Sequence, residues 1–156
     1  MELDRIDVQI LNLVQQNAGL PLHDIAKKVH ASVATCQRRL AQLKANGVIQ
    51  REVAILDRKL VGRTLTAFVG VELERQNDAL LRAFERRMQG ESYVMECYEV
   101  SGTEDFLLVV CAPSMEAYHA FTRSAFSSSN NVRNFTSTFA MNCAKFETSI
   151  ALEVPK

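Results

Sequence analysis

The sequence contains no tryptophan, only three prolines and no long apolar run in its 156 residues. Its longest apolar segment, Phe106–Ala112, is far shorter than the ~20 residues that span a bilayer, which excludes a transmembrane helix. Because 47% of the residues are apolar, a disordered chain is excluded as well. Met1 leads straight into Glu2, Leu3 and Asp4, without the basic segment and apolar core of a signal peptide. We therefore expect the protein to stay in the cytoplasm.

Cysteine pairs and enzyme motifs are also missing. Cys36, Cys97, Cys111 and Cys143 form no C-x-x-C pair, so we expect no disulfide framework or zinc site but reduced, mostly buried thiols. The sequence has no H-E-x-x-H, G-x-S-x-G or P-loop motif, and its three histidines lie far apart. We expect neither an enzyme nor a bound metal or cofactor.

The net charge is zero, but it is unevenly distributed. Residues 1–60 hold nine Lys and Arg residues against six Asp and Glu residues, so the remainder is acidic by the same amount. Between residues 20 and 50 the imbalance is larger, with five cations against Asp24 alone. A basic stretch of this kind attracts phosphates at short range, although a solvated helical surface would account for it equally well.

The first third of the chain is predicted to form three short helices. Asp4 is the expected N-cap of the first, and the second covers about residues 22–29. Ser32 is the expected N-cap of the third, which continues to about Asn46 and ends at Gly47. A strand should follow over residues 48–55, and residues 56–63 are the candidate linker. The second and third helices, joined by a short turn, form a predicted helix-turn-helix.

The third helix has two different faces at 100° per residue. The stripe predicted to be buried consists of Val33, Cys36, Leu40 and Leu43. The opposite side carries small residues beside Arg38, with Thr35, Gln37 and Gln42 flanking them and Arg39 nearer the seam. Small residues allow a helix to enter a DNA groove, and Thr, Gln and Arg side chains reach base edges or phosphates. A helical hairpin without DNA function is the alternative, and the basic bias of this region favours DNA binding.

The remainder of the chain predicts the element order βαββαβ. Strands are expected near residues 65–73, 93–100, 105–112 and 132–141, with helices beginning at Asp78 and after Pro113-Ser114. This order is typical of a ferredoxin-like α/β sandwich, whose sheet is covered by helices on one face. Because the other face is open, we expect a dimer. Residues 146–154 alternate through Ile150, Leu152 and Val154, which predicts an additional edge strand. The predicted domains are residues 1–55 and 64–156, and the fold class is α+β.

The chain resembles the Lrp/AsnC (feast/famine) family of transcription regulators over nearly its whole length. The resemblance rests on Leu3-Asp4, Asp7 and Ile10-Leu11, on Ile25-Ala26 and Val29, on Arg38-Arg39-Leu40, Leu43 and Gly47-Val48-Ile49, and on the run from Val100 to Leu108. It implies an N-terminal winged-helix-like helix-turn-helix domain and a C-terminal ligand-sensing domain. It further implies double-stranded DNA as a partner, an amino-acid effector bound between dimers, and homodimers that assemble to octamers.

The same resemblance implies two sets of site residues. The DNA contacts are expected from Ser32, Ala34, Thr35, Gln37, Arg38 and Arg39. The effector site is expected at the turn Gly102, Thr103, Glu104 and Asp105, facing Val132, Arg133, Asn134 and Thr136, with Tyr98 and Phe135 as apolar walls. Backbone N–H groups of a glycine-containing turn can bind a carboxylate, and Glu104 or Asp105 can pair with an ammonium. The apolar walls favour an effector such as leucine or methionine.

Two alternatives remain open at this level. Residues 101–104 are compatible with a plain hairpin turn in which Gly102 serves geometry alone. The second half is equally compatible with an amino-acid-sensing module that controls an enzyme partner and binds no DNA. That alternative leaves the small-residue face of the third helix and its two arginines without a role.

Overall fold

The computed structural model describes residues 2–155, which divide into two compact units. One unit consists of residues 2–55 together with residues 145–155, and the other is Leu56–Ala144. In chain order the elements are α1 (Arg5–Val14), α2 (Leu22–Val29), α3 (Val33–Ala45), β1 (Leu65–Leu73), α4 (Asp78–Gly90), β2 (Val94–Glu99), β3 (Phe106–Ala112), α5 (Met115–Ala125), a short 3₁₀ turn (Ser128–Asn130) and β4 (Val132–Phe139).

The three predicted N-terminal helices are confirmed. α1 begins at a reciprocal capping box, in which the Asp7 N–H donates to Oδ1 of Asp4 and the Asp4 N–H donates to Oδ2 of Asp7. α2 ends at His30, whose backbone is left-handed with φ of 55°, and the chain turns there into α3. Residues of all three helices form one apolar core around Ile10, Ile25 and Leu43. α2 and α3 therefore form a helix-turn-helix supported by α1.

The second unit is the predicted ferredoxin-like sandwich. Its four antiparallel strands lie in the order β2-β3-β1-β4. Alternate residues of β1 point into a core shared with α4 and α5, and they are fully buried. The remaining β1 and β3 residues lie on the other face, where Phe68 and Leu107 are exposed. The sheet thus has one face covered by helices and one open face.

The strand predicted after Gly47 is wrong. Residues 48–56 carry no strand assignment, and the side chains of Val53 and Ile55 are 65% and 61% exposed. An alternating pattern favours an extended chain, but a strand also needs a neighbouring strand for its hydrogen bonds. Within residues 2–155 no strand pairs with these residues, and the N–H groups of Val48 and Ile49 donate instead to the Leu43 carbonyl in the last turn of α3. Val33 also departs from expectation, because at the first position of α3 it is 45% exposed instead of buried.

The edge strand predicted for residues 146–154 is wrong as well. This segment is not part of the sheet but lies along α1 in the helical unit. The side-chain amide of Gln15 pairs with the backbone of Ile150 in both directions, at 2.7 and 2.8 Å, and Asn12 donates to the carbonyl of Leu152 at 3.1 Å. Leu152 packs against the helical core. The second compact unit accordingly ends at Ala144, and residues 145–155 belong to the first unit.

Cys36, Cys97 and Cys111 are free thiols in the structure. Cys36 and Cys111 are buried, Cys97 is half-buried and Cys143 is exposed. Desolvation raises the pKa of Cys36, and desolvation together with the neighbouring Glu85 raises the pKa of Cys97 to about 11. Among residues 2–155 no helix has the length and apolar character needed to cross a membrane.

Candidate functional site

The exposed face of α3 begins at its N-cap. The Ser32 hydroxyl accepts a hydrogen bond from the Thr35 N–H at 3.1 Å and lies 2.8 Å from the Thr35 hydroxyl. This pairing ends the turn after α2 and fixes the first turn of α3. Ala34, Gln37 and Arg38 follow with exposed side chains. The predicted DNA-contacting face therefore presents a small residue, an amide and a guanidinium to solvent, and this combination can read base edges and phosphates.

The two arginines of α3 have different surroundings. Arg38 is exposed, and its contact with Gln42 is long, at 3.4 Å. The Arg39 guanidinium instead lies against α1, 2.6 Å from Oδ2 of Asp4 and 3.1 Å from Oδ2 of Asp7. Desolvation opposes the charge on Arg39, but the two carboxylates outweigh it and raise the pKa of the guanidinium. The structure therefore leaves Arg38 available to a partner and engages Arg39 within the protein.

Other charges and one apolar side chain complete this surface. Lys27 and Lys28 are exposed in the last turn of α2, while Lys44 forms a 2.8 Å ion pair with Glu52. Exposed Val33 lies beside Ala34 at the start of α3. Periodicity assigned Val33 to the core, and its position at the very end of the helix is the signal that would have corrected that assignment. An exposed aliphatic group here can contact a thymine methyl.

The turn between β2 and β3 is anchored by Asp105. Its N–H donates to the Val71 carbonyl at 2.8 Å, and its carboxylate accepts from the Leu73 N–H at 2.7 Å. The backbone of Gly102 has φ of 153°, which favours glycine. Within residues 2–155 no protein acceptor is found for the N–H groups of Thr103 and Glu104. The turn is thus tied to β1 through Asp105, and these two donors remain available to an anion.

A small pocket of about 100 Å³ lies where this turn meets the open face of the sheet. It is lined by Gly70, Glu72, Thr103, Glu104, Asn134, Phe135 and Thr136. The Glu104 side chain crosses Gly70 so closely that a Cβ built on that glycine would lie 2.8 Å from Glu104 Cγ. Arg133 pairs with Glu72 at 3.1 Å, which leaves Glu104 as the lining carboxylate without a cation among the described residues. The pocket therefore offers one carboxylate without an ion pair and two nearby N–H groups.

Five of the predicted effector residues meet in this pocket, and five do not. Thr103, Glu104, Asn134, Phe135 and Thr136 line it, but the Phe135 ring packs against Phe126 in the core and is not the predicted apolar wall. Val132 is instead buried in the core, and Tyr98 lies on β2, two strands away from β1, with its hydroxyl donating to Glu96 at 2.7 Å. Gly102, Asp105 and Arg133 border the pocket without lining it. Sequence reasoning missed Gly70 and Glu72, because nothing in their own segment indicates which turn crosses them.

A larger cleft of about 400 Å³ lies between α4 and β2. Its lining consists of Glu85, Met88, Gln89, Val94, Met95, Glu96 and Cys97. Its two carboxylates, Glu85 and Glu96, form no ion pair within residues 2–155, whereas Glu72 of the smaller pocket is paired with Arg133. The larger cleft therefore repels the carboxylate of a free amino acid more strongly. Volume alone would favour this cleft, but its charge favours the smaller pocket as the place for an amino-acid head group.

Comparison with known proteins gives consistent results for both units. A family model described as winged helix-turn-helix DNA-binding matches residues 3–50, and one described as Lrp/AsnC ligand binding domain matches residues 66–156. An uncharacterized HTH-type transcriptional regulator of Haemophilus influenzae is 45% identical, with 96% of this chain and 89% of the relative covered. The Bkd operon transcriptional regulator of Pseudomonas aeruginosa is 34% identical, with 90% and 92% covered.

Solved structures show the same fold over the whole chain. An AsnC family transcriptional regulator from Agrobacterium tumefaciens superimposes with a TM-score of 0.89 at 34% identity, covering 95% of this chain and 96% of that one. The transcriptional regulator NMB0573 of Neisseria meningitidis, in complex with L-Met, gives a TM-score of 0.88 at 28% identity, covering 96% and 97%.

Proposed function

The chain belongs to the Lrp/AsnC family of transcription regulators, and from that premise we propose that it binds specific sites in double-stranded DNA and responds to an amino acid. The observation that carries the proposal is the exposed face of α3. Ala34, Gln37 and Arg38 project from a helix whose opposite side is anchored in the core by Cys36 and Leu43. A helix held in this way can enter the major groove with these residues foremost.

The DNA part of the proposal is tested by affinity measurements at several salt concentrations. Fragments of the host genome that the protein retains supply the specific duplex, and mobility shifts measure its affinity between about 50 and 200 mM salt. We expect log affinity to fall linearly with log salt concentration. Arg38→Ala should cost about 1–3 kcal/mol if Arg38 reads a base, or reduce the salt slope by about 1 if it binds a phosphate.

The matched control removes an exposed arginine from the other unit. Arg82→Ala, on α4, should leave both the affinity and the salt slope unchanged. Binding that does not respond to salt, or no binding to any fragment, would contradict the proposal and favour a sensing module that acts on a partner protein.

For the effector we propose the pocket around Gly70 and Glu104. The Glu104 carboxylate pairs with the ammonium, and the Thr103 and Glu104 N–H groups donate to the carboxylate, because charge-assisted bonds of this kind are stronger than neutral ones. At about 100 Å³ the pocket is smaller than the roughly 300–1,000 Å³ of sites that enclose a whole small molecule, and its size suits the head group of an amino acid. Another copy of the chain would have to enclose the side chain.

We favour an apolar effector such as leucine or methionine. The Neisseria regulator similar to this chain was solved with L-Met, which supports this choice. The Phe135 ring does not contribute to it, because it packs against Phe126 on the core side of the sheet. The other five predicted effector residues do not line the pocket of a single chain: Tyr98, Val132, Arg133, Gly102 and Asp105. A contact between one of them and the effector would need a second copy of the chain or a backbone group. The exposed Phe68 and Leu107 on the open sheet face support homodimers, and sites shared between dimers would support assembly to octamers.

A thermal-shift screen of the twenty amino acids tests the effector part, because a ligand that binds only the folded state raises its unfolding temperature. We expect Glu104→Gln to abolish the shift. Asp105→Asn should retain it, because an asparagine oxygen still accepts from the Leu73 N–H and keeps the turn in place. The reverse result would assign the ammonium to Asp105, and no shift with any amino acid would contradict the proposal.

A further inference from the structure

An ionic contact joins α3 to the start of α1. One nitrogen of the Arg39 guanidinium lies 2.6 Å from Asp4 Oδ2 and 3.1–3.2 Å from both carboxylate oxygens of Asp7. These carboxylates are the two side chains of the capping box that starts α1. Asp7 is almost entirely buried, and the Arg39 side chain is 24% exposed. A residue of the middle of α3 is therefore joined to the first turn of a helix 32 residues earlier in the sequence.

This contact determines how α3 can rotate and slide. Apolar contacts of Cys36 and Leu43 hold the helix in the core, but apolar packing has no direction and allows small shifts. The Arg39 contacts are short and directional, and they lie one residue from Arg38 and two from Gln37. A rotation of α3 that moved Arg38 would lengthen these ion pairs. Holding Arg39 in place therefore holds the exposed residues in place.

We propose that Arg39, clamped by Asp4 and Asp7, is a positioning residue that sets the orientation of the DNA-reading face. The inference rests on the proposed DNA binding, and it replaces the direct DNA contact expected of Arg39 with an indirect role. Arg38 makes the contact with DNA, and Arg39 fixes the place from which Arg38 makes it.

Arg39 could contact DNA, position α3 or only stabilise the fold, and these three roles predict different results in DNA-binding measurements. If Arg39 bound a phosphate, its removal would weaken binding to all duplexes alike and reduce the salt slope by about 1. If Arg39 positions the helix, its removal leaves the slope unchanged and lowers the ratio of specific to non-specific affinity. A role in stability alone changes neither while the protein is folded. The ratio and the slope together therefore identify the role.

Substitutions of Asp4 and Asp7 distinguish the positioning role from a purely electrostatic effect on DNA affinity. Asp4→Asn keeps a good N-cap side chain and removes one charge of the clamp. If electrostatics alone mattered, removing a negative charge near DNA would strengthen binding to every duplex. The positioning role predicts that Asp4→Asn and Asp7→Asn lower the specificity ratio instead.

The experiment measures specific and random duplexes with wild type, Arg39→Met, Arg39→Lys and Asp4→Asn, each confirmed as folded by circular dichroism. We expect Arg39→Met and Asp4→Asn to lose about ten-fold in the ratio, comparable with one misplaced base contact, at an unchanged salt slope. Arg39→Lys should retain most of it, because one nitrogen makes all the contacts. An unchanged ratio, or a shallower slope for Arg39→Met, would overturn the positioning role. If wild type itself shows no specific binding, the proposed function has failed instead.

Discussion

The close approach of Glu104 to Gly70 gives a direct test of the effector pocket. Alanine at position 70 would place its Cβ 2.8 Å from Cγ, 3.2 Å from Oε1 and 3.3 Å from Cδ of Glu104. Real Cβ atoms do not approach other heavy atoms to 2.8 Å, so Glu104 must move. Its side chain is the flexible end of the contact, and the added methyl group would occupy the pocket that the carboxylate now borders.

The expected cost falls on binding and not on folding. Gly70 has no positive φ, so alanine fits its backbone, and a compatible Gly→Ala exchange stabilises by about 0.4–1 kcal/mol through the unfolded chain. That gain offsets the rearrangement of Glu104, and we expect the unfolding free energy to stay within about 1 kcal/mol of wild type. Loss of the charge-assisted bond from Glu104 costs about 1.5–3 kcal/mol, or roughly ten-fold to a hundred-fold in the Kd.

Calorimetric titration with L-methionine and L-leucine measures this loss, and urea unfolding measures stability. The matched control is Gly90→Ala, because a Cβ on Gly90 has no atom within 4 Å among the described residues. Gly90→Ala should bind as wild type does. If Gly70→Ala binds either amino acid with the wild-type Kd, the pocket around Glu104 is not the effector site.

Three further predictions concern stability and thiol reactivity. The hydrogen bond from the Asp7 N–H, with a smaller contribution from Arg39, lowers the pKa of Asp4 below its ordinary value of 3.8. The ionised Asp4 carboxylate therefore stabilises the folded protein above pH 3.8, and this stabilisation is lost as the pH falls through the lowered pKa. The difference in unfolding free energy between wild type and Asp4→Asn should therefore shrink below pH 3.8, and a constant difference in urea titrations down to acid pH would refute this. Leu152→Ala removes packing from α1 and should lower the unfolding free energy by about 1 kcal/mol, which is less than the loss at a fully buried leucine because Leu152 is half-buried. An unchanged urea midpoint would show that the C-terminal segment does not stabilise the unit. Iodoacetamide should modify exposed Cys143 at once but Cys36 only after unfolding, because Cys36 is buried and its pKa is raised. If mass spectrometry shows that both cysteines of the native protein are alkylated at equal rates, the packing of α3 is contradicted.

Most of the fold follows from local patterns. The capping side chains Asp4 and Ser32 and the stop at Gly47 define the ends of two helices, because capping chemistry depends on a few neighbouring residues. The core strands of the sheet follow from alternation and from the apolar run Phe106–Ala112. Each of these signals is complete within a short stretch of sequence.

The two false strands show where local patterns are insufficient. Ile150, Leu152 and Val154 alternate with other residues as the inward residues of a strand do. The partners of this segment, however, are the side-chain amides of Gln15 and Asn12, which lie 135 and 140 residues away in the chain. Alternation predicts extension, and it contains no information about which group receives the hydrogen bonds.

The residue types of the two candidate sites could be predicted from the sequence, but the surroundings of each residue could not. Periodicity placed Arg38 and Arg39 on or near one exposed face, yet only the fold brings Asp4 and Asp7 to Arg39 and removes it from that face. The turn around Glu104 could be identified from the sequence, whereas the part of Gly70 depends on a crossing between two distant segments. Contacts between distant segments thus determine that Arg38 is exposed whereas Arg39 is paired with carboxylates of the same chain.

Site-directed cross-linking tests the central claim, that the exposed face of α3 lies against DNA. In a chain whose exposed Cys143 is replaced by serine, Ala34→Cys carries a photoactivatable azide, and Ala83→Cys, on the exposed side of α4, is the control. We predict that irradiation joins position 34 to a specific duplex and leaves position 83 unjoined. Cross-linking that is equal at both positions, or absent at position 34 in a bound complex, would contradict the account.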